Sequence, residues 1–339
     1  MKITIKDIAE KANVSISTVS RVLNNKDDVN DNTRKQIKKI IDELGYNPSG
    51  IARGLALKKT NTIGLIIPNI TNPFFPEVAK GVERRAEEMG YSVILYDTEN
   101  DENKEKKALE LMRKKQVDGI VLSFNSNTRN LINQAFDDKI PIVQIDRKIN
   151  GLKCPSVLID NFYSGYSAAK HLIDRGHRKI AHITGRKDIL NSIERLSGYK
   201  KAFQEGGLKV YEKYIINGQQ TIESGYKKMN LLLKMDQIPT AVFVANDLMA
   251  IGAYEAIFDK KMDIPKDISI IGHDDINMAS IIRPKLTTVV QPKYDMGVNA
   301  VDLLVKLIGE RKGIMDTVFK TKIIERNSVK NLKNTYQNA

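Results

Sequence analysis

The chain has 339 residues, with 54 basic against 41 acidic, a net charge of +13 and 41% hydrophobic residues. This ordinary globular composition excludes a disordered, collagen-like or fibrous chain, and a single cysteine, Cys154, excludes a disulfide framework and a cysteine-rich zinc site. No apolar run reaches the roughly 18 residues of a membrane span, and the start, MKITIKDIAEKA, alternates apolar and charged residues unlike a signal peptide; a cytoplasmic protein with no membrane partner is expected.

The charge is uneven. Residues 1–60 carry 12 basic and 7 acidic residues, residues 61–305 carry 34 and 31, and residues 306–339 carry 8 and 3. The basic excess points to a polyanion partner without locating it. The length allows two or three domains.

Residues 5–12 place Ile5, Ile8, Ala9 and Ala12 on one helical face, with Thr4 as N-cap. Asn13, Val14 and Ser15 break the pattern. A second helix is expected over 16–24, with Val19, Val22 and Leu23 inward and Ser15 as its cap. Two short helices around a three-residue turn form a helix-turn-helix. A third helix is expected over 31–44, with Ile37, Ile40, Ile41 and Leu44 as its apolar stripe and Gly45 as its stop.

The second helix exposes Ile16, Ser17, Thr18, Ser20 and Arg21, and no acidic residue lies between 11 and 26. Such a helix can approach DNA closely. Arginine can bond guanine in the major groove, and Thr18, Ser20 and Asn24 suit phosphate contacts. A small helical bundle with a merely solvated polar face would show the same periodicity.

TIKDIAEKANVSISTVSRVLNN resembles the DNA-binding headpiece of the lactose-repressor/galactose-repressor family of bacterial transcription regulators. By that resemblance Ile16, Ser17 and Arg21 would face bases, with Thr4, Ser15, Thr18, Ser20 and Asn24 beside them. The first two are the family's variable, operator-selecting positions.

Residues 46–60 read YNPSGIARGLALKKT. Pro48 can open a short helix, with Ala52, Leu55 and Ala56 on one face, but Gly50 and Gly54 each cost about 1 kcal/mol relative to alanine in a helix interior. A linker that becomes helical only when docked is expected. The stretch is similar to the family hinge. The resemblance implies that Ala52, Arg53 and Leu55 contact DNA, with Leu55 wedged between base steps in the minor groove.

From residue 62 the chain alternates strand-like runs with amphipathic stretches. The runs span 62–68, 91–97, 118–123, 140–146, 156–160, 179–184, 240–245, 267–273 and 286–291. Helices are expected near 74–89, 102–116, 128–139, 162–175, 192–206, 223–235, 247–260 and 295–309. This alternation implies parallel sheets covered on both faces by helices. The strands are too many for one comfortable sheet.

The expected fold is therefore α/β: an all-α headpiece (1–46), a hinge (47–60) and two open doubly wound lobes. The first lobe takes 61–160 plus about 292–317, and the second takes 161–291 plus about 318–332.

Ligands of open α/β sheets sit beyond the carboxyl ends of the strands. Asn72, Phe74 and Phe75 follow the first strand, and aromatic faces suit sugar C–H faces. Asp146 and Arg147 follow the fourth, together supplying acceptors and donors for vicinal hydroxyls. Arg195, Asn246, Asp247 and Asp274 lie at later strand ends or helix starts, where any one of them would also serve as a cap.

NPFF, VDGIVL, ERLSGY, ANDLMAIGA and IGHDD…LTTVVQP look like the effector domain of the same family, which is similar to periplasmic sugar-binding proteins. NPFF and the Asp-Arg pair look most like its ribose-binding branch. The resemblance implies that these eight charged, polar and aromatic residues after Asn72 line an effector site, with Gln220 where many relatives carry a stacking aromatic.

No Walker A loop, no GxGxxG after a strand and no HExxH is present. The four histidines are scattered, without zinc spacing. No enzyme activity, cofactor or metal is expected. The reading is a DNA-binding regulator, expected to be a repressor as most members of the family are, controlled by a sugar and acting on pseudo-palindromic operator DNA. The tail after Val329 lacks a leucine heptad, which favours a homodimer. A sugar-transporter binding protein, a sugar-modifying enzyme and a regulator controlled by a protein partner stay open as alternatives.

Overall fold

The computed structural model describes residues 3–23, 26–46, 59–124, 140–149, 152, 154–310 and 313–333. The chain divides into two compact units, Met1–Asn61 and Thr62–Ala339. Asn24, the hinge residues 47–58 with Ala52, Arg53 and Leu55, and the expected helix at 128–139 lie outside the described residues.

The first unit holds α1 (Ile5–Ala12), α2 (Ile16–Leu23) and α3 (Asp31–Leu44). Their apolar faces meet in one core of Ile8, Ala9, Ala12, Val19, Val22, Val29, Ile37 and Ile40. Asn13 turns the chain between α1 and α2 in the left-handed region, at φ 53°. Asparagine tolerates that conformation better than most residues. Asn30 caps α3 by accepting from the Asn32 N–H, and Gly45 ends it at φ 59°.

In the second unit the chain runs β1 (Thr62–Ile67), α4 (Phe74–Glu88), β2 (Ser92–Asp97), α5 (Glu102–Lys114), β3 (Gly119–Leu122), β4 (Ile142–Ile145) and β5 (Ser156–Ile159). A second series follows: α6 (Asn161–Asp174), β6 (Ile180–Thr184), α7 (Leu190–Glu205), β7 (Ile215–Asn217), α8 (Ile222–Leu233), β8 (Ala241–Val244), α9 (Asp247–Asp259), β9 (Ser269–Asp274) and β10 (Thr287–Val290). α10 (Lys293–Ile308), β11 (Thr317–Phe319) and β12 (Lys322–Ile324) complete it.

Two six-stranded sheets result, in the orders β11-β5-β4-β3-β1-β2 and β12-β10-β9-β8-β6-β7. Every pairing is parallel except that of β10 with β12. Helices cover both faces, so β3, β4 and β8 are buried throughout and read as continuous apolar runs.

Between the lobes the chain crosses after β5, returns through α10 and crosses again after β11. α10 belongs to the first lobe: Met296, Ala300, Val301, Leu303 and Leu304 pack with Ile63, Leu65, Val78 and Val82. β11 pairs with β5 and β12 with β10, so the chain passes to the second sheet after Phe319. Three-residue β7, β11 and β12 are absent from the sequence expectation, because so short a run carries no readable alternation.

Candidate functional site

In the first unit α2 presents Ile16, Ser17 and Arg21 outward, with Thr18 and Ser20 half-buried. Ile16 is 49% exposed at the start of α2. Ser15 Oγ accepts from the Thr18 N–H at 3.1 Å and lies 2.7 Å from Ser17 Oγ, fixing the helix start. Arg21 does have an acidic neighbour: Nε stands 3.6 Å from Asp28 Oδ2. Both side chains are more than half exposed, and such a pair is weak enough for a phosphate or base to replace.

Thr4 is the N-cap of α1, but its hydroxyl donates to Asp7 Oδ2 at 2.8 Å and its N–H to the same oxygen at 2.7 Å. Those two bonds hold the Asp7 carboxyl below its usual range. The hydroxyl of Thr4 thus helps to fix the start of α1.

Within the second unit a narrow cavity of about 30 Å³ lies between the lobes. Asn72, Phe74, Phe75, Asp146 and Arg147 line it from the first lobe, and Ile189, Asn191, Arg195, Gln220, Asn246, Asp274 and Gln291 from the second. Strand ends far apart in sequence thus meet at one place.

On the first lobe Asn72 Oδ1 accepts from the Phe74 N–H at 3.1 Å and starts α4. Phe74 and Phe75 meet edge to face, with centroids 5.0 Å apart at 84°. Each is buried and belongs at once to the lobe core and to the cavity wall. Asp146 is held at φ 63°. Its carbonyl and Oδ1 accept from Asn191 Nδ2 of the other lobe, at 3.0 and 3.3 Å. Arg147 Nε stands 3.7 Å from Asp146 Oδ2, and its Nη1 donates to Asn100 Oδ1 at 3.3 Å. Burial raises the Asp146 carboxyl against the opposing pull of Arg147 and Arg195.

On the second lobe Arg195 is buried in α7. Its Nε donates to Asn161 Oδ1 at 2.9 Å and its Nη1 to the Ala245 carbonyl at 2.8 Å. Among the described residues its Nη2 has no hydrogen-bond partner and remains available at the cavity. α7 lies close to α6 through paired glycines. A Cβ on Gly198 would stand 1.9 Å from the Phe162 carbonyl, and one on Gly165 would stand 2.1 Å from that of Arg195.

Asp274 sits at φ 115° at the end of β9. Its Oδ1 accepts from Gln291 Nε2 at 2.7 Å and lies 2.9 Å from His273 Nδ1. Its Oδ2 has no partner among the described residues. Burial, together with Arg195, lowers the His273 imidazole to about 4. Asn246 Oδ1 caps α9 by accepting from the Met249 N–H, while its Nδ2 donates to the Gln220 carbonyl at 3.3 Å.

Gln220 takes φ 63°. Three non-glycine residues of the lining, Asp146, Gln220 and Asp274, thus hold left-handed backbone, a strained state that persists where surrounding structure enforces it and that clusters at functional sites.

Asp247 does not join them. It is fully buried, with Oδ1 accepting from Thr288 Oγ1 at 2.7 Å and Oδ2 from the Ile276 N–H at 2.9 Å. It ties α9 to the strand ends beside it. Ile189, Asn191 and Gln291 also line the cavity, though the sequence expectation does not include them. Gln291 directly follows β10 but falls within the expected strand.

The lining offers fixed donors and acceptors around a buried aromatic pair, an arrangement suited to a small neutral polyhydroxyl compound. Among the described residues no group of three His, Cys, Asp or Glu is placed to hold a metal. No helix among them is long and apolar enough to cross a membrane.

Residues 4–49 match the lacI family of bacterial regulatory proteins, and residues 169–329 match the periplasmic binding protein-like domain. Catabolite control protein A of Priestia megaterium is 40% identical over 311 residues, 91% of this chain and 94% of that protein. The lac repressor dimer bound to operator and the anti-inducer ONPF superposes with a TM-score of 0.86 at 26% identity, covering 97% of this chain and 100% of that one. A LacI family transcriptional regulator from Enterococcus faecium with bound ribose gives a TM-score of 0.73 at 30% identity, covering 80% and 99%.

Proposed function

The chain belongs to the lacI family of bacterial regulatory proteins, and from that membership we propose that a small sugar in its interlobe cavity controls the affinity of its α2 face for operator DNA. The protein is a DNA-binding transcription regulator, not an enzyme. The observation that carries the sugar reading is the meeting of Asp146 and Arg147 from one lobe with Arg195 and Asp274 from the other around Phe74 and Phe75.

Asp274 Oδ2 accepts from a sugar hydroxyl, Arg195 Nη2 donates to one, and the phenyl faces cover the ring's C–H side. Gln220 replaces a stacking ring by an amide, which favours a compact, polar sugar; ribose, bound by the Enterococcus faecium neighbour, is the first to test. The cavity is narrow, so entry of a sugar moves the lobes apart and reclosure fixes their arrangement. Sugar binding thereby resets the spacing of the segments that lead to the headpieces.

The active species is a homodimer in the cytoplasm, reading a pseudo-palindrome whose half-sites lie about one helical turn apart. Its interface uses the apolar side chains left exposed on the body, among them Leu95, Ile222 and Ile281. Ile16, Ser17 and Arg21 face bases, Ser15, Thr18, Ser20 and Asn24 lie near phosphates, and Ala52, Arg53 and Leu55 engage the minor groove. The headpiece ends near residue 46 and the hinge near 60; the first lobe takes 61–160 and 292–319, and the second the rest to 332.

Calorimetric titration of the full chain with ribose and other pentoses and hexoses tests the cavity. Binding of one sugar that Asp274→Asn weakens at least tenfold supports the reading. Absence of binding by every sugar tried, or binding indifferent to Asp274→Asn, rejects it.

A further inference from the structure

A larger cavity, of about 450 Å³, opens on the second lobe at the carboxyl ends of β6 and β7, with one face of α7 as its wall. It shares no lining residue with the interlobe cavity. Its volume lies within the range of small-molecule sites, roughly 300–1,000 Å³.

Three cationic side chains from two elements line it. Arg186 and Lys187 come from the loop after β6, Lys200 comes from α7, and Glu212 is the one acidic residue opposite them. Lys187 is exposed and has no ion-pair partner among the described residues. Lys200 is held only by Glu212, at 2.8 Å, through side chains that are 43% and 74% exposed; such a pair yields readily to a competing anion. Arg186 is more firmly held, by two bonds to Asp188 at 3.0 and 2.6 Å.

Deeper in, Ser192 is 6% exposed, yet its Oγ makes no hydrogen bond among the described residues. That hydroxyl opens on the cavity, where it can bond a ligand. Ile193, Leu196 and Ile215 supply apolar contact beside it.

We propose that this outer cavity is a binding site for a small phosphate monoester of a polyol or sugar. The phosphate carries about −1.5 to −2 at neutral pH. It would take Lys187 and Lys200, while the carbon skeleton lies on Ile193, Leu196 and Ile215 and a hydroxyl reaches Ser192. The site adjoins the interlobe cavity through a shared wall. A Cβ on Gly185 would stand 2.4 Å from Ser192 Oγ and 3.4 Å from Gln220 Nε2, and Gln220 and Asn191 face the inner cavity.

Calorimetry on the full chain with glycerol 3-phosphate, inorganic phosphate and succinate tests the site. Saturable binding of glycerol 3-phosphate is expected, at least tenfold tighter than succinate. Lys187→Glu should weaken it at least tenfold, and Ser197→Trp, which fills the cavity from an exposed position, should abolish it. Asp274→Asn, in the other cavity, should leave it unchanged. Thermal melts confirm that each variant folds. No binding by the folded parent protein overturns the proposal. So does binding that survives Lys187→Glu and Ser197→Trp, binding lost in Asp274→Asn, or succinate binding as tightly as the phosphate ester.

Discussion

Lys293 reaches across the lobes to Asp274: from the first turn of α10 its Nζ donates to the carbonyl of Asp274 at 2.7 Å and to that of Asp275 at 2.8 Å. The same ammonium stands 3.5 Å from Glu77 Oε2 on α4, and Lys293 is only 4% exposed. One buried cation therefore ties the left-handed backbone of Asp274 to the first lobe.

Replacing Lys293 by methionine keeps its length but leaves two carbonyls without their donor. An unmet buried acceptor costs about 1–3 kcal/mol, so Lys293→Met should lower unfolding stability by roughly that amount. Sugar affinity should fall as well, because Asp274 loses its anchor. Urea unfolding and sugar calorimetry on the same variant check both.

Asp247 should behave in the opposite way. Its oxygens bind Thr288 and the Ile276 N–H rather than the cavity. Asp247→Ala should cost on the order of 1–3 kcal/mol of stability, while the folded protein keeps its sugar affinity within about twofold. A large loss of affinity in a folded variant would return Asp247 to the site.

Gly198 should be intolerant of even one methyl group, since the added Cβ meets the Phe162 carbonyl at 1.9 Å. Pushing α7 from α6 displaces Arg195 from Asn161 and Ala245. Gly198→Ala should lower the melting temperature by several degrees and weaken sugar binding, as differential scanning calorimetry and titration would show.

Acid should destabilise the body through its histidines. Burial holds His273 at about 4 and His182 at about 3, against an ordinary 6.5. Between those values the unfolded chain binds a proton that the folded one refuses, so stability falls as pH drops from about 6.5 toward 4. For His273 the loss between pH 7 and pH 5 is on the order of 2 kcal/mol. The raised carboxyls of Asp146 and Asp247 act with the opposite sign. Comparison of His273→Gln with the parent cancels them: the variant should show a shallower decline in unfolding free energy below pH 6.5.

Strands such as TAVFVA were legible because burial on both faces leaves an uninterrupted apolar run, and α3 because its apolar stripe is periodic and Gly45 marks its end. β7 and β11 were not: three residues become a strand only when a neighbouring strand supplies partners. At the site, polar residues after strands located Asp146, Arg195 and Asp274. They did not separate Asn246 from Asp247, because the one is the extended N-cap and the other the first helical residue, and only the fold shows that their side chains part there. Asn191 escaped notice because its role is an interlobe bond to Asp146, which depends on how two distant segments meet. Asp28 beside Arg21 is a contact of the same kind.

Sugar control of DNA binding is tested most directly by fluorescence anisotropy on a duplex selected by the full chain from a random pool, titrated with and without saturating sugar. The expected result is tight, sequence-specific binding whose affinity the sugar changes about 5–150-fold, the range of a coupling of 1–3 kcal/mol, with Asp274→Asn binding the duplex normally but losing the response. An affinity indifferent to every sugar that occupies the cavity, or a response undiminished in Asp274→Asn, would contradict it.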